Sequence, residues 1–194
     1  MSVGIEELID NYLSTLDTKD IDSFKNLVSR SIQDEFTGIN SRFEPDKQIN
    51  YKNRELEQID YEWIADDVIS INDISILADQ LAITALYKLF EKNIKELIGY
   101  HTKCIDISKY SYWKNVKAVL PIKAKNLQCF QSVNELRLIN NAIKHEGVVT
   151  LELSTEFPAY GKVGTELSGL DEMYIRLKPC VINFINELHY IYKS

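Results

Sequence analysis

One short segment gathers the side chains whose types and spacing could do chemistry. In Asn134-Glu-Leu-Arg137-Leu-Ile-Asn140-Asn141-Ala-Ile-Lys144-His145-Glu-Gly147, a helical rotation of about 100° per residue brings Asn134, Arg137, Asn141, Lys144 and His145 within about 100° of one another. Leu136, Ile139, Ala142 and Ile143 take the opposite side, which is then the core side. Arg137 to Asn141 and Asn141 to His145 are each one i,i+4 step, so the three side chains form a ladder. A guanidinium grips a phosphate bidentately, an imidazole moves a proton near neutral pH, and an amide orients either. Those groups suffice, in type, for metal-free cleavage of RNA: His145 would take the 2′-hydroxyl proton and Arg137 would stabilise charge growing on the phosphorus oxygens. A plainer role for His145, beside Gly147 at a helix end, is to favour the negative end of the helix dipole.

A second cluster is electrostatic. The formal charge of −7, from 29 acids against 22 bases, excludes a protein that coats nucleic acid over its whole surface. Residues 1–102 hold ten bases against twenty acids, but residues 103–145 hold eight bases against two acids. Within that basic stretch lies Lys109-Tyr-Ser-Tyr112-Trp113-Lys114, followed by Lys117. Ammonium groups for phosphates, with rings on which bases stack, are the ingredients of single-strand binding. The same residues also read as a solvated helix face with an aromatic anchor in the core.

Other chemistry lacks support. Cys104, Cys129 and Cys180 are odd in number and have no CxxC spacing, so neither a disulfide framework nor a zinc site is expected; they read as small buried apolar residues in a reducing compartment. Glu6/Glu7 and Asp66/Asp67 are adjacent pairs that point apart on a helix and make no metal cage. His101 and His189, with no arginine or carboxylate at useful sequence spacing, read as structural. No P-loop, GxGxxG, HExxH or GxSxG motif is present. No metal and no cofactor are expected.

These side chains must be positioned by helices. At 194 residues, 45% hydrophobic, with seven glycines and four prolines, the chain suits one domain with a sizeable core. Residues 1–58 read as a helical extension and polar loop, and residues 60–192 as the main bundle. Ile5, Leu8, Ile9, Tyr12 and Leu13 form one stripe of a first helix over 3–15. A second, capped by Asp20 or Asp22, runs to about Phe36 with Phe24, Leu27, Val28 and Ile32 inward. Residues 38–58 read as an irregular polar connection, and the helical pattern resumes near Tyr61. The longest helix is expected from a cap at Asn72 or Asp73 to about Gly99. Its apolar set of Ile74, Leu77, Ala78, Leu81, Ala85 and Leu89, with Leu86, Phe90 and Leu97 beside them, is wide enough for a central position. A helix over Tyr112–Leu120 stops at Pro121, and the next covers Lys125–His145 before a glycine cap at Gly147. Val148–Leu153 is the sole strand candidate, Gly161–Gly169 a loop, and Asp171 opens a last helix that Pro179 kinks or restarts. The expectation is an all-α bundle of about six helices with long loops and at most one short strand. No export signal is read at the N-terminus, and Ile74–Leu97, broken by Asp79, Gln80, Lys88, Glu91 and Lys92, is read as too polar to cross a bilayer unaided. A soluble cytoplasmic protein without membrane contact is expected.

Ala85-Leu-Tyr-Lys-Leu-Phe-Glu91-Lys-Asn-Ile-Lys-Glu-Leu97 paired with Leu136-Arg-Leu-Ile-Asn-Asn-Ala-Ile-Lys-His145-Glu-Gly147 resembles HEPN domains, helical-bundle proteins of prokaryotic toxins, phage-defence systems and RNA-processing factors. The resemblance spans residues 60–192. It implies metal-independent endoribonuclease activity, a homodimer with two motif helices facing each other, and RNA or an antitoxin-like protein as partner. It also implies an Arg-x4–6-His motif, in which His145 matches the histidine and Asn141 the polar neighbour of the arginine. Asn140 stands where that arginine belongs, and the nearest one, Arg137, lies seven intervening residues from His145, about 12 Å along a helix axis. The resemblance therefore admits two outcomes. In one, Arg137, Asn141 and His145 are catalytic, Lys144, Asn140, Lys114, Lys117, Tyr112 and Trp113 hold RNA, and Glu91 orients Arg137 or His145. In the other, the protein is a catalytically inactive immunity or adaptor protein, and Glu91 is an i,i+4 partner of Lys95.

Overall fold

From Arg54 to Ile98 the sequence contains neither glycine nor proline, so nothing local interrupts a helix once it has started. The computed structural model, which describes residues 4–42 and 54–194, accordingly has one 49-residue helix, Arg54–Thr102. The described helices are α1 (Ile5–Ser14), α2 (Lys19–Arg42), α3 (Arg54–Thr102), α4 (Trp113–Val119), α5 (Ile122–Lys125), α6 (Phe130–Lys144), α7 (Leu151–Glu156) and α8 (Leu170–Lys193), with 3-10 turns at Ile107–Ser111 and Pro158–Tyr160. The fold is all-α, and the described residues contain no strand, only an isolated antiparallel bridge between Val148 and Glu166.

Two compact units emerge: the residues up to Thr18 with Ala82–Ser194, and Lys19–Leu81. In the first, the later part of α3 is central, with Ile83, Leu86, Phe90, Ile94, Leu97 and Ile98 sealed from water. Leu136 and Ile139 of α6 and Val181, Phe184 and Leu188 of α8 are fully buried in the same unit. Phe184 bridges the aromatic centre, its ring centroid 6.2 Å from Phe90 and 6.1 Å from Phe130. Gly99 admits the 3-10 turn to this layer, because any Cβ there would overlap the Cγ2 methyl of Ile107.

Several expectations are corrected. Asn72 and Asp73 lie inside α3 rather than capping it, because good helix formers precede them. The wide apolar girth of α3 is buried only from Ala82 onward; Ile74, Leu77 and Leu81 are exposed, and Ile71 and Ala78 are the buried positions upstream. In α2, Leu27 and Phe24 are exposed and Ile39 is buried; in α1, Leu13 is buried while Ile5, Leu8 and Tyr12 are exposed. α2 reaches Arg42, so of the polar connection expected over 38–58, residues 43–53 lie outside the described residues. The strand expected at Val148–Leu153 does not form: Val148 makes only the isolated bridge, and Leu151–Leu153 open α7, because the Thr150 hydroxyl accepts from the Leu153 amide as an N-cap and Glu152 suits the first turn. Pro179 sits on an exposed position within α8 without ending it. By length and composition alone, one stretch within Glu62–Thr102 is long and apolar enough to cross a membrane. The later part of α3 is the packed centre of the first unit.

Candidate functional site

α6 is more deeply enclosed than its amphipathic pattern predicts. Besides Val133, Leu136, Leu138, Ile139 and Ala142, the polar residues Asn134, Glu135 and Asn140 are buried. The chain leaves the helix at His145, whose amide donates to the Asn141 and Ala142 carbonyls (3.1 Å each). Glu146 and Gly147 follow in the left-handed region (φ 72° and 69°), and the Gly147 amide closes on the Ala142 carbonyl at 3.1 Å. This 6→1 closure is a Schellman cap, with Glu146 joining the glycine in the unusual backbone region. The segment after it forms a loop with pinned ends: Val149 N–H donates to the Thr165 carbonyl (2.8 Å), Gly164 N–H to Val149 (2.9 Å) and Leu167 N–H to Gly147 (2.9 Å).

That loop folds back on the polar side of α6. Arg137 Nη2 pairs with Glu152 Oε1 at 2.7 Å, and Arg137 Nε donates to Asn134 Oδ1 at 3.1 Å. Asn134 Nδ2 in turn donates to Glu156. Next to Asn134 along the helix, Glu135 receives a bidentate grip from Arg176 of α8 (2.7 and 2.9 Å) and a hydrogen bond from the Tyr160 hydroxyl (2.5 Å). Arg176 also donates to the Tyr160 oxygen at 3.3 Å. Burial, and then the Glu135 carboxylate, hold the Tyr160 hydroxyl well above the usual phenol range. Hydrogen bonding to Glu135 raises the Arg176 guanidinium above its already high value. Neither group exchanges a proton near neutral pH, so the cluster is a fixed clamp rather than an acid–base pair. Beside it opens a cavity of about 710 Å³, lined among others by Tyr160, Thr165, Glu166, Glu172 and Arg176.

The residues singled out in the sequence are therefore dispersed in role. Arg137 keeps only 11% of its side chain exposed and is engaged by Glu152 and Asn134. Asn140 is fully buried, with neither amide atom hydrogen-bonded among the described residues, which removes it from any solvent-facing set. Asn141 is half-buried and His145 is exposed at the helix end. Lys144 is exposed, with its ammonium 6.0 Å from the Tyr87 ring centre. Burial, followed by the Glu91 charge, pushes the Tyr87 hydroxyl up to about 12. Glu91 itself forms the i,i+4 pair with Lys95 at 2.9 Å. Lys114, Lys117 and Tyr112 are exposed at α4. Trp113 is the core anchor: its ring stacks on Phe130 (5.9 Å), and its indole N–H is buried without a partner among the described residues.

Tertiary packing also joins groups that the sequence spacing separates. His189 Nε2 lies 3.6 Å from Asp10 Oδ1, and His189 Nδ1 lies 3.4 Å from His101 Nε2. Lys193 completes the contact by gripping the other Asp10 oxygen. Burial depresses both imidazoles below the usual histidine value. The carboxylate that no useful sequence spacing supplied thus arrives from α1. The three cysteines are free and half-buried rather than sealed. Burial, and then Cys180, push the Cys129 thiol up to about 11, which leaves it a poor nucleophile. No group of three or more His, Cys, Asp or Glu among the described residues is arranged to hold a metal ion.

Comparison of the chain with family models, with curated proteins and with solved structures finds no match.

Proposed function

We propose that this chain is a catalytically silent helical interaction protein of the immunity or adaptor kind, working in the cytoplasm. The observation that carries this reading is the state of α6. Its one arginine is tied to Glu152 and Asn134, and its Asn140 is sealed in the core. Transition-state stabilisation needs a cation aimed at the reacting phosphate, and Arg137 is committed to holding α7 instead. Large apolar side chains stay exposed elsewhere, Trp63, Ile74, Leu77 and Leu81 on one helix among them, which supports a role for that helix in contacting a partner.

A second reading, HEPN-like binding or metal-free cleavage of RNA, is favoured by the exposed Lys114, Lys117 and Tyr112 and by the exposed His145. Incubation of the pure protein with a mixed RNA substrate in EDTA separates the two. The expected result is intact RNA, with no difference between wild type and His145→Ala. Cleavage by wild type that His145→Ala abolishes would overturn the interaction reading. Salt-sensitive RNA binding without cleavage, lost in Lys114→Glu/Lys117→Glu, would assign the chain to RNA binding instead.

A further inference from the structure

On α3, Trp63, Ser70, Ile74, Leu77 and Leu81 fall within about 60° of one another at about 100° per residue, and all five are exposed, Ile74 and Leu77 by 53% and 54%. The spacing is that of a heptad seam, with Ile74 and Leu81 at a positions and Leu77 at the d position between them. The buried side of the same stretch is a different one, formed by Ile71 and Ala78. The exposed aspartates Asp66 and Asp73, one heptad apart, flank the seam. Residues 19–81 as a whole carry fourteen acids against seven bases.

The complementary surface lies on the same chain. Over Tyr112–Lys125, Lys114, Lys117, Lys123 and Lys125 are exposed together with Tyr112, Val119 and Ile122, the last by 79%. We propose that the acidic, apolar seam of α3 docks on the basic, apolar α4–α5 surface of a second copy of this chain. This deepens the interaction reading and rests on it. Seam against seam would bring the aspartates of two copies together, and α4–α5 against α4–α5 would do the same with lysines. Only the crosswise pairing joins opposite charges, and opposed like charges are a strong penalty at an interface. The apolar side chains supply the contact area; Asp66 and Asp73 against Lys114 and Lys117 supply steering and orientation.

Sedimentation velocity on the full chain tests this, with far-ultraviolet circular dichroism confirming that each variant folds. Wild type is expected to self-associate at low salt and to weaken at least tenfold at about 0.5 M salt, where screening shortens charge interactions to a few ångströms. Asp66→Lys/Asp73→Lys and Lys114→Glu/Lys117→Glu are each expected to be monomeric alone, and an equimolar mixture of the two to associate again. Leu77→Glu, an independent variant at an exposed site, is expected to be monomeric in either salt. A wild type that stays monomeric at about 100 μM, where a micromolar Kd would populate the complex, overturns the proposal. So does an oligomer indifferent to both charge reversals, or a mixture that fails to reassociate. A monomer that binds phosphatidylglycerol vesicles through Lys114 and Lys117 would assign the basic surface to a membrane and would also overturn it. Failure here, with RNA left intact, leaves the interaction reading standing; cleavage that depends on His145 removes that reading whatever the sedimentation result.

Discussion

Replacing Asn140 distinguishes a core residue from a motif residue. Its side chain is fully buried, and both polar atoms lack partners among the described residues. Leucine has the same heavy-atom skeleton, so Asn140→Leu removes two unsatisfied atoms without opening a cavity. Relieving an unpaired buried group is worth about 1–3 kcal/mol, and leucine is the better helix former by about 0.5 kcal/mol. Crowding by the bulkier methyls offsets about 1–2 kcal/mol of that gain. The expected outcome is a net stabilisation of about 1 kcal/mol, or a Tm higher by about 2–4 °C for a chain of this size. Asn140→Arg, which installs the residue that the HEPN resemblance places there, forces a guanidinium into a site closed to water. A loss of at least about 3 kcal/mol is expected, because an uncompensated buried charge is left behind. Urea unfolding followed by circular dichroism reads both variants, with equal m-values confirming that the midpoints report stability. A leucine variant destabilised by more than about 1 kcal/mol would show that the amide meets a polar partner. An arginine variant that folds and gains ribonuclease activity would refute the placement of this side chain in the core.

Further outcomes follow from the clamp, the histidines and Gly99. Arg176→Met strands the Glu135 carboxylate, whose side chain is 10% exposed, and the expected loss is about 2 kcal/mol, moderated because the Arg176 side chain is itself 53% exposed. Tyr160→Phe removes a single hydrogen bond and is expected to lose about 1 kcal/mol; equal losses in urea unfolding would contradict the clamp. With His101 and His189 both held below the usual histidine value by burial, the unfolded chain takes up protons that the folded chain does not as pH falls below about 6.5. The stability they contribute is therefore present above that pH and lost on acidification through their folded values. Tm should fall between about pH 7.5 and 5.5, and less steeply in His189→Gln; a Tm that rises on acidification would contradict this. Gly99→Ala gains about 1 kcal/mol of helix propensity but meets the Ile107 methyl, at an overpacking cost of about 1–3 kcal/mol. A net loss is expected, and Ile107→Ala in the same chain should recover it, as a double-mutant cycle would measure.

How far the molecule could be read in advance differs by level. The later part of α3, α6 and α8 were legible because their apolar residues recur at the helical period, which is a local property. The start of α3 was not, since Asn72 and Asp73 look like caps only when the residues before them are not already helical. Val148–Leu153 is rich in β-branched and apolar residues like a strand, but its second half turns helical once Thr150 caps it. On α6, the period correctly placed Leu136, Ile139 and Ala142 inside, yet it could not show that Asn134 and Glu135 would be covered by residues 151–160.

By itself, the sequence determined that this is a helical protein with an acidic first half and a basic stretch over 103–145, because helical periodicity and charge reside in neighbouring residues. Tertiary structure alone decided what Arg137, Glu135, Asn140 and His189 do. The partners of Arg137 and Glu135 come from 15 and 41 residues away, and that of His189 from α1. Whether a polar side chain faces water, a counter-charge or a sealed core depends on which distant segment packs over it, and no spacing along the chain encodes that.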